Sequence, residues 1–212
     1  MRTDQLIGAL AQDAATPPVR LTRVFALATL AAVVAAGLVF MIQLGPRPDF
    51  MASLGTLRFP FKFVVTTAFA AAAAALVLRL SRPAAPTGPA KAALGAALTL
   101  LALGLAAELN MTPEASWAAR MIGRNALVCL TYIPLIAAAP LGLLLVALRR
   151  GAPSSPAAAG AAAGLLAGAI AATFYAAHCT DDSPLFVAVW YSAAVAIVTC
   201  AGAVLGGRLL RW

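Results

Sequence analysis

The chain has 212 residues, of which 63% are hydrophobic and only 10% are charged. Its mean hydropathy of +0.94 lies far above the values of soluble domains, so the composition excludes a soluble globular protein and indicates an integral membrane protein. The formal net charge is +8, but its distribution along the chain follows membrane topology, and we expect no direct contact with nucleic acid.

Long apolar runs predict that the chain crosses the membrane as helices, because backbone polar groups in lipid must be hydrogen-bonded within the segment. The alternation typical of barrel strands is absent from the sequence. Most of the runs are close to the roughly 20 residues that a hydrocarbon core of about 30 Å requires. The fold class is therefore an all-α integral membrane protein with a six-helix transmembrane domain. The domain covers residues 23–212, with spans at about 24–44, 61–80, 92–107, 126–148, 157–177 and 185–207.

The charges predict the orientation of these spans. With six spans both termini lie on one side, which receives ten basic residues and two acids, whereas the other side receives five of each. By the positive-inside rule we expect the N and C termini to be cytoplasmic.

The N-terminal segment, residues 1–22, is the only sizeable polar piece on the predicted cytoplasmic side. A short helix there places Leu6, Ile7 and Leu10 on one face, with Asp4 in the first turn. Such a helix is too short to be stable alone in water. Two interpretations stay open, an interfacial helix on the membrane surface and a docking helix for a cytoplasmic partner.

The first outer connection and the span after it contain three charged residues of interest. Arg47 and Asp49 stand two positions apart in a proline-rich turn, and we expect a local ion pair that fixes this turn. Lys62 stands at the mouth of the second span, where we expect its long side chain to extend to the lipid headgroups.

Glycines recur every four residues in the last two spans, which favours close approach of the two helix backbones. They are Gly160, Gly164 and Gly168 in span five, and Gly202 and Gly206 in span six.

Motifs that carry enzyme chemistry are missing from the sequence. It has one histidine, no phosphate-binding glycine loop, no paired-histidine metal motif and no nucleophile elbow, so we expect no enzyme. No acid occupies the middle of a span, as transporters usually require. A small-molecule or ion transporter or channel is nevertheless the main alternative function, and a structural membrane scaffold is a third.

Two of the three cysteines are predicted to share a depth near the outer surface, Cys129 in span four and Cys179 at the end of span five. Cys200 lies towards the inner leaflet, where we expect a small buried apolar residue. A structural disulfide or unreactive pair is one interpretation of Cys129 and Cys179. A sensor of oxidant or of a soft metal ion is the other. A catalytic thiol oxidoreductase is disfavoured because the sequence has no Cys-x-x-Cys.

The stretch "YAAHCTDDSP" adds three residues that tune the cysteines or complete a metal site, namely His178, Asp181 and Asp182. Joint chelation by His178 and Cys179 requires the helix to have ended before them, since adjacent helical residues point about 100° apart. Alternatively, His178 only hydrogen-bonds an acid at the headgroup level. We expect no required cofactor, and at most a transient soft or transition metal ion at Cys129 and Cys179.

Several segments taken together resemble the NrsF family of six-span membrane anti-sigma factors, which includes OsrA-like proteins. The resemblance is carried by Cys129 together with "RTDQLIGALAQD", "GPRPDF", "YAAHCTDDSPLF" and "GRLLRW". It implies a negative regulator of an extracytoplasmic-function (ECF) sigma factor, a multi-pass protein of the bacterial inner membrane that responds to transition-metal or oxidative stress.

The resemblance also implies roles for particular residues. Family members have a cysteine pair implicated in sensing, which matches Cys129 and Cys179 here. The implied partner is an ECF sigma factor at the cytoplasmic face. The N-terminal helix and the basic inner loops would hold it there, and the docking residues would be Asp4, Leu6, Ile7 and Leu10.

Overall fold

The computed structural model describes residues 20–210 together with Thr3, Gln5 and Ile7. Within residues 20–210, six helices are long and apolar enough to cross a membrane, and no strand is present. The predicted all-α transmembrane fold is confirmed. The helices are α1 (Leu21–Gln43), α2 (Arg58–Leu80), α3 (Gly88–Met111), α4 (Ala126–Leu148), α5 (Pro156–Ala176) and α6 (Pro184–Leu209).

The helix bounds follow the predicted spans closely, and α4 covers the predicted residues. The exception is α3, which has 24 residues where the apolar run predicted a short span. Its first turn carries a proline at a position that favours helix initiation, and its last turn continues through Glu108 and Asn110. Residues outside the apolar run are helical at both ends of α3, so the run alone underestimates the length of this helix.

The fifth helix forms the centre of the bundle. In its most apolar stretch 67% of the residues are buried, compared with 11% in α3. Around it pack α2, α4 and α6, whereas α3 lies at the periphery against α2. The loop that carries Cys179 therefore follows the helix that is most enclosed by the others.

Glycines allow α5 and α6 to pack with their backbones in contact. A Cβ added at Gly164 would lie 2.5 Å from the carbonyl oxygen of Val198, and one at Gly206 would lie 2.6 Å from the Cα of Gly160. Real Cβ atoms do not approach other atoms so closely. The predicted close approach of the last two spans is confirmed.

The bundle has two ends with different character. The network end, as we call it, consists of the three loops that follow α1, α3 and α5, namely residues 44–57, 112–125 and 177–183. The opposite terminal end holds Arg20, the loops 81–87 and 149–155, and Leu210. There the amide of Ala152 donates to the carbonyl of Ser81 at 3.0 Å and joins the two loops.

The start of α6 is irregular. After one α-helical turn, Val187–Tyr191 forms a π-helical turn, and regular helix resumes at Ser192. Such turns occur frequently at functional sites. This one brings Tyr191 into the core next to α5, where its ring centroid lies 5.6 Å from that of Tyr175.

Candidate functional site

A buried lysine ties α2 to the α5–α6 loop at the network end. Lys62 is fully buried. Its Nζ lies 2.6 Å from Oδ1 of Asp182 and donates a hydrogen bond of 2.8 Å to the carbonyl oxygen of Cys179. The expectation that Lys62 extends to the headgroups is wrong, because a counter-charge and a carbonyl satisfy the ammonium group inside the protein.

The guanidinium of Arg47 bridges two carboxylates. It donates from Nε and Nη2 to the two oxygens of Asp49, at 2.6 and 2.7 Å, and from Nη1 to the two oxygens of Asp182, at 3.0 and 2.9 Å. Hydrogen bonding to Arg47 lowers the pKa of Asp49 to about 2, and bonding to Asp49 raises the pKa of Arg47. The expected local ion pair is present, and it extends to the α5–α6 loop.

Backbone contacts fasten the same two loops together. The amide of Arg47 donates to the carbonyl of Ala177 at 3.0 Å, and Nδ1 of His178 lies 3.0 Å from the carbonyl oxygen of Gly45. The positive φ of Gly45, +70°, gives the chain the turn that leaves this carbonyl available. His178 therefore contacts a backbone carbonyl, in place of the acid that one interpretation assigned to it.

Asp181 caps the N-terminus of α4 from a distant loop. Its Oδ2 accepts hydrogen bonds from the amides of Arg124 and Asn125, at 2.9 and 2.8 Å, and from Nδ2 of Asn125 at 2.8 Å. The side chain of Asn125, the residue directly before this helix, makes no capping hydrogen bond. A carboxylate at this position satisfies free amides and interacts favourably with the helix dipole, so α4 depends on the α5–α6 loop for its first turn.

Glu108, near the end of α3, collects a second set of partners. Only 4% of it is exposed. It accepts hydrogen bonds from Nε of Arg58 at 2.8 Å, from Arg120 at 3.2 Å and from the hydroxyl of Ser183 at 3.1 Å. The sequence alone assigns no role to Glu108. The one feature that points to it is its position as an acid directly after the apolar run 92–107.

The two predicted sensing cysteines lie in one buried cluster. Cys129 and Cys179 are both fully buried, both are free thiols in this structure, and they are close enough to interact electrostatically. With Tyr175 and Tyr191 they form what we call the thiol cluster. Burial raises the pKa of the Cys179 thiol, and the charge of Lys62 opposes that shift. A protonated thiol is the resting form that this environment favours.

The thiol cluster contains a buried hydroxyl whose neighbouring polar group is a thiol. The hydroxyl of Tyr191 lies beside Cys179 and is buried without a partner at hydrogen-bond geometry among the described residues. The Cys179 thiol itself lies 3.8 Å from the carbonyl oxygen of Asp181. A thiol is a weak hydrogen-bonding group, so this corner of the core is polar but only weakly satisfied.

The other predicted site residues are engaged elsewhere. His178 contacts Gly45, Asp181 caps α4, and Asp182 binds Lys62 and Arg47. In the part of the chain that the structure describes, no group of three or more His, Cys, Asp and Glu side chains is placed to hold a metal ion. A metal role for His178, Asp181 and Asp182 stays a prediction.

The remaining sequence predictions concern residues outside this end. Cys200 is exposed on α6, so the expectation that it is buried is wrong, and it lies on the outward surface of the bundle. Of the predicted docking residues, Asp4, Leu6 and Leu10 lie outside the described residues. Ile7 is helical and 59% of it is exposed, a position from which an apolar side chain can contact a partner.

Comparison with known proteins identifies the family. Residues 10–212 match the NrsF family, described as "Negative regulator of sigma F". Over the full length of both chains, the protein is 36% identical to Anti-sigma-F factor NrsF of Caulobacter vibrioides and 33% identical to Probable anti-sigma-F factor NrsF of Azospira oryzae. The chain belongs to the NrsF family. No solved structure matches it.

Proposed function

We propose that this protein is a membrane-bound anti-sigma factor that sequesters an ECF sigma factor at the cytoplasmic face of the bacterial inner membrane. The observation that carries the proposal is the full-length similarity to two proteins named as anti-sigma-F factors. The six apolar helices support the membrane location.

The charge of the terminal end supports its assignment to the cytoplasm. Within residues 20–210, the terminal half of the bundle carries eight basic residues and no acid, whereas all five acids belong to the network half. A basic surface facing the cytoplasm agrees with the positive-inside rule and attracts anionic lipid or an acidic protein surface. In this proposal Asp4, Leu6, Ile7 and Leu10 dock the sigma factor, with support from the basic loops.

The sensing step in this proposal is the oxidation or metallation of Cys129 and Cys179. A peroxide would convert one thiol to a sulfenic acid and release water, and the second thiol would then displace a second water to form a disulfide. The two electrons pass to the peroxide. A soft metal ion would instead replace the two thiol protons and bind both sulfurs.

The contacts of the α5–α6 loop offer a route from the thiols to the helices. The carbonyl of Cys179 accepts hydrogen bonds from Lys62 of α2 and from Arg47, and Asp181 caps α4. Displacement of Cys179 therefore perturbs α2, α4 and the α1–α2 loop together. A ligand or bond shifts an equilibrium only by its free-energy difference between the two states. Inverting a 1:99 population requires about 5.5 kcal/mol, within the range of a covalent or metal–ligand bond.

The sensing role is tested with serine substitutions and a sigma-dependent reporter. Cys129→Ser, Cys179→Ser and the double variant should repress normally and lose induction by peroxide or cadmium. Cys200→Ser is the matched control, because Cys200 is exposed on α6, and it should respond like the wild type. Induction that persists in all three variants would reject the sensor role.

Sequestration is tested separately by cell fractionation. The sigma factor should sediment with membranes that contain the intact protein and should become soluble when residues 2–15 are deleted. The truncated protein must itself remain in the membrane fraction for the comparison to count. Continued repression by a membrane-inserted truncation would refute docking through the N-terminal segment.

A further inference from the structure

A cavity of about 1080 Å³ opens at the network end between α2, α3 and the two loops that follow α3 and α5. Apolar residues that line it include Phe61, Met111 and Ile122. Three arginines, Arg58, Arg120 and Arg124, also line it. This volume is in the range of pockets that hold a small molecule or a lipid headgroup.

The guanidinium groups outnumber the carboxylates that are free to pair with them. Arg58 and Arg120 share the single carboxylate of Glu108. Two more carboxylates line the cavity, but Asp181 is occupied by the amides at the start of α4, and Asp182 by Lys62 and Arg47. Backbone amides leave the charge of Asp181 in place, so once Arg47, Lys62 and Asp49 are included, five basic groups face four carboxylates around the cavity, a net excess of one positive charge.

Arg124 is the clearest part of that excess. Within the described residues its side chain makes no hydrogen bond and no ion pair, although its amide binds Asp181. It follows Gly123, whose φ of +61° allows the sharp turn between the short helix Trp117–Ile122 and α4. The backbone thus holds Arg124 at the wall of the cavity while its side chain remains available.

We propose that this cavity binds a phosphate group carried on an apolar chain, the headgroup of an anionic phospholipid. Arginine presents a planar fork that matches phosphate oxygens in pairs, and Arg124 would make the first such contact beside Arg58 and Arg120. The apolar lining residues would contact the first carbons of the chain. Because the cavity lies where α2 begins and α3 ends, it is at the level at which headgroups are expected around apolar spans. Two arginines neutralise the negative charge of Glu108, and the carboxylate of Asp181 is turned to the amides of Arg124 and Asn125, where it opposes the phosphate less than a free carboxylate would.

The site is tested with the purified full-length protein by native mass spectrometry after exchange with vesicles of phosphatidylglycerol or phosphatidylcholine. We expect retention of phosphatidylglycerol over phosphatidylcholine, and a loss of about tenfold in Arg124→Gln, the scale of one charge-assisted hydrogen bond. Arg124→Lys keeps the charge without the fork and should give an intermediate loss. Arg150→Gln, an exposed arginine of the terminal end, is the matched control and should bind like the wild type.

Free inorganic phosphate is the other source of the same chemistry, and a second arm distinguishes it. Protection of the wild type against thermal unfolding by phosphate alone, lost in Arg124→Gln, supports the phosphate site with a soluble ligand. Unchanged phosphatidylglycerol binding in Arg124→Gln, or an equal loss in Arg150→Gln, would overturn the proposal. Neither arm uses the sigma-factor reporter, so the result is independent of the proposed function.

Discussion

Nζ of Lys62 and Oδ1 of Asp182 lie 2.6 Å apart, and the lysine side chain is fully excluded from solvent. This pair joins the first turns of α2 to the loop between α5 and α6. The carbonyl of Cys179 accepts a second hydrogen bond from the same ammonium group, so the ion pair also fixes the backbone of a predicted sensing residue.

Removing the acid of this pair should destabilise the protein strongly. Asp182→Asn leaves Lys62 buried without a counter-charge, and loss of one partner of a buried pair costs about 3–5 kcal/mol. Lys62→Met should cost less, because Asp182 then keeps Arg47. The double variant should be more stable than the sum of the two losses predicts. Thermal unfolding in detergent measures all three, with Glu114→Gln, an exposed acid of the same end, as the control. Equal stability of Asp182→Asn and the control would contradict the pairing.

The ion pair of Asp49 should contribute a defined pH dependence. Its pKa is lowered from 3.8 to about 2 in the folded protein, so its stabilising contribution is present above pH 3.8 and disappears as the pH falls towards 2. The stability difference between wild type and Asp49→Asn should therefore be constant near neutral pH and shrink in that acidic window. Because Asp49 is about half exposed, salt should reduce the effect. A difference that grows on acidification would reject this account.

The helices could be predicted from the sequence, whereas the network that joins their ends could not. An apolar run of span length has few alternatives to a helix in lipid, so even the bounds of α4 are as predicted. A lysine at the mouth of a span, by contrast, looks the same in sequence whether it extends to headgroups or pairs inward. Arg47 and Asp182 are 135 positions apart, and no local pattern indicates which acid meets which base.

The cysteines illustrate the same limit. Depth along a helix follows from the rise per residue, which placed Cys129 and Cys179 at one end correctly. The direction in which a side chain points around an alanine-rich helix does not follow from a weak periodicity, and the burial of Cys200 was predicted wrongly for this reason. The position of Asp181 next to Cys179 in the sequence favours a metal or tuning role, whereas its cap on α4 joins residues 56 positions apart, which no local pattern indicates.

Loss of the Asp181 carboxylate should loosen the first turn of α4. Asp181→Ala leaves two amides unsatisfied and should cost about 1–2 kcal/mol, as caps do. Asp181→Asn should retain most of the stability, because its amide oxygen still accepts. Hydrogen exchange of a peptide covering residues 124–129 should accelerate in the alanine variant and change little in the asparagine variant. If exchange in Asp181→Ala were faster by the same factor throughout α4 and α5, a local cap on the first turn of α4 would be excluded.

Alanine at the contact between α5 and α6 should separate the two helices. In Gly164→Ala the new Cβ would lie 2.8 Å from the Cα of Thr199, an overpacking that typically costs about 1–3 kcal/mol. Gly142→Ala is the matched control in α4, since nothing lies within 4 Å of its added Cβ, and it should be neutral or stabilising by up to about 1 kcal/mol. Unfolding temperatures of both variants in the same detergent provide the test. A Gly164→Ala protein as stable as Gly142→Ala would exclude tight packing at this glycine.

Burial should protect the two predicted sensing thiols, Cys129 and Cys179. Cys179 is fully buried and its pKa is raised, so a water-soluble maleimide can reach it only after local opening, and the thiolate that reacts is scarce. In a Cys200→Ser background, labelling at neutral pH should be at least about tenfold slower than after denaturation.

Asp181→Ala should raise the labelling rate, because it releases the start of α4 next to both thiols. Asp49→Asn should change it less, since Asp182 still holds Arg47 and Lys62. Mass spectrometry of the labelled peptides separates Cys129 from Cys179. Labelling of the folded Cys200→Ser protein as fast as that of the denatured chain would mean that the thiols are not enclosed. Any mechanism in which a stimulus must first open the network end would then fail.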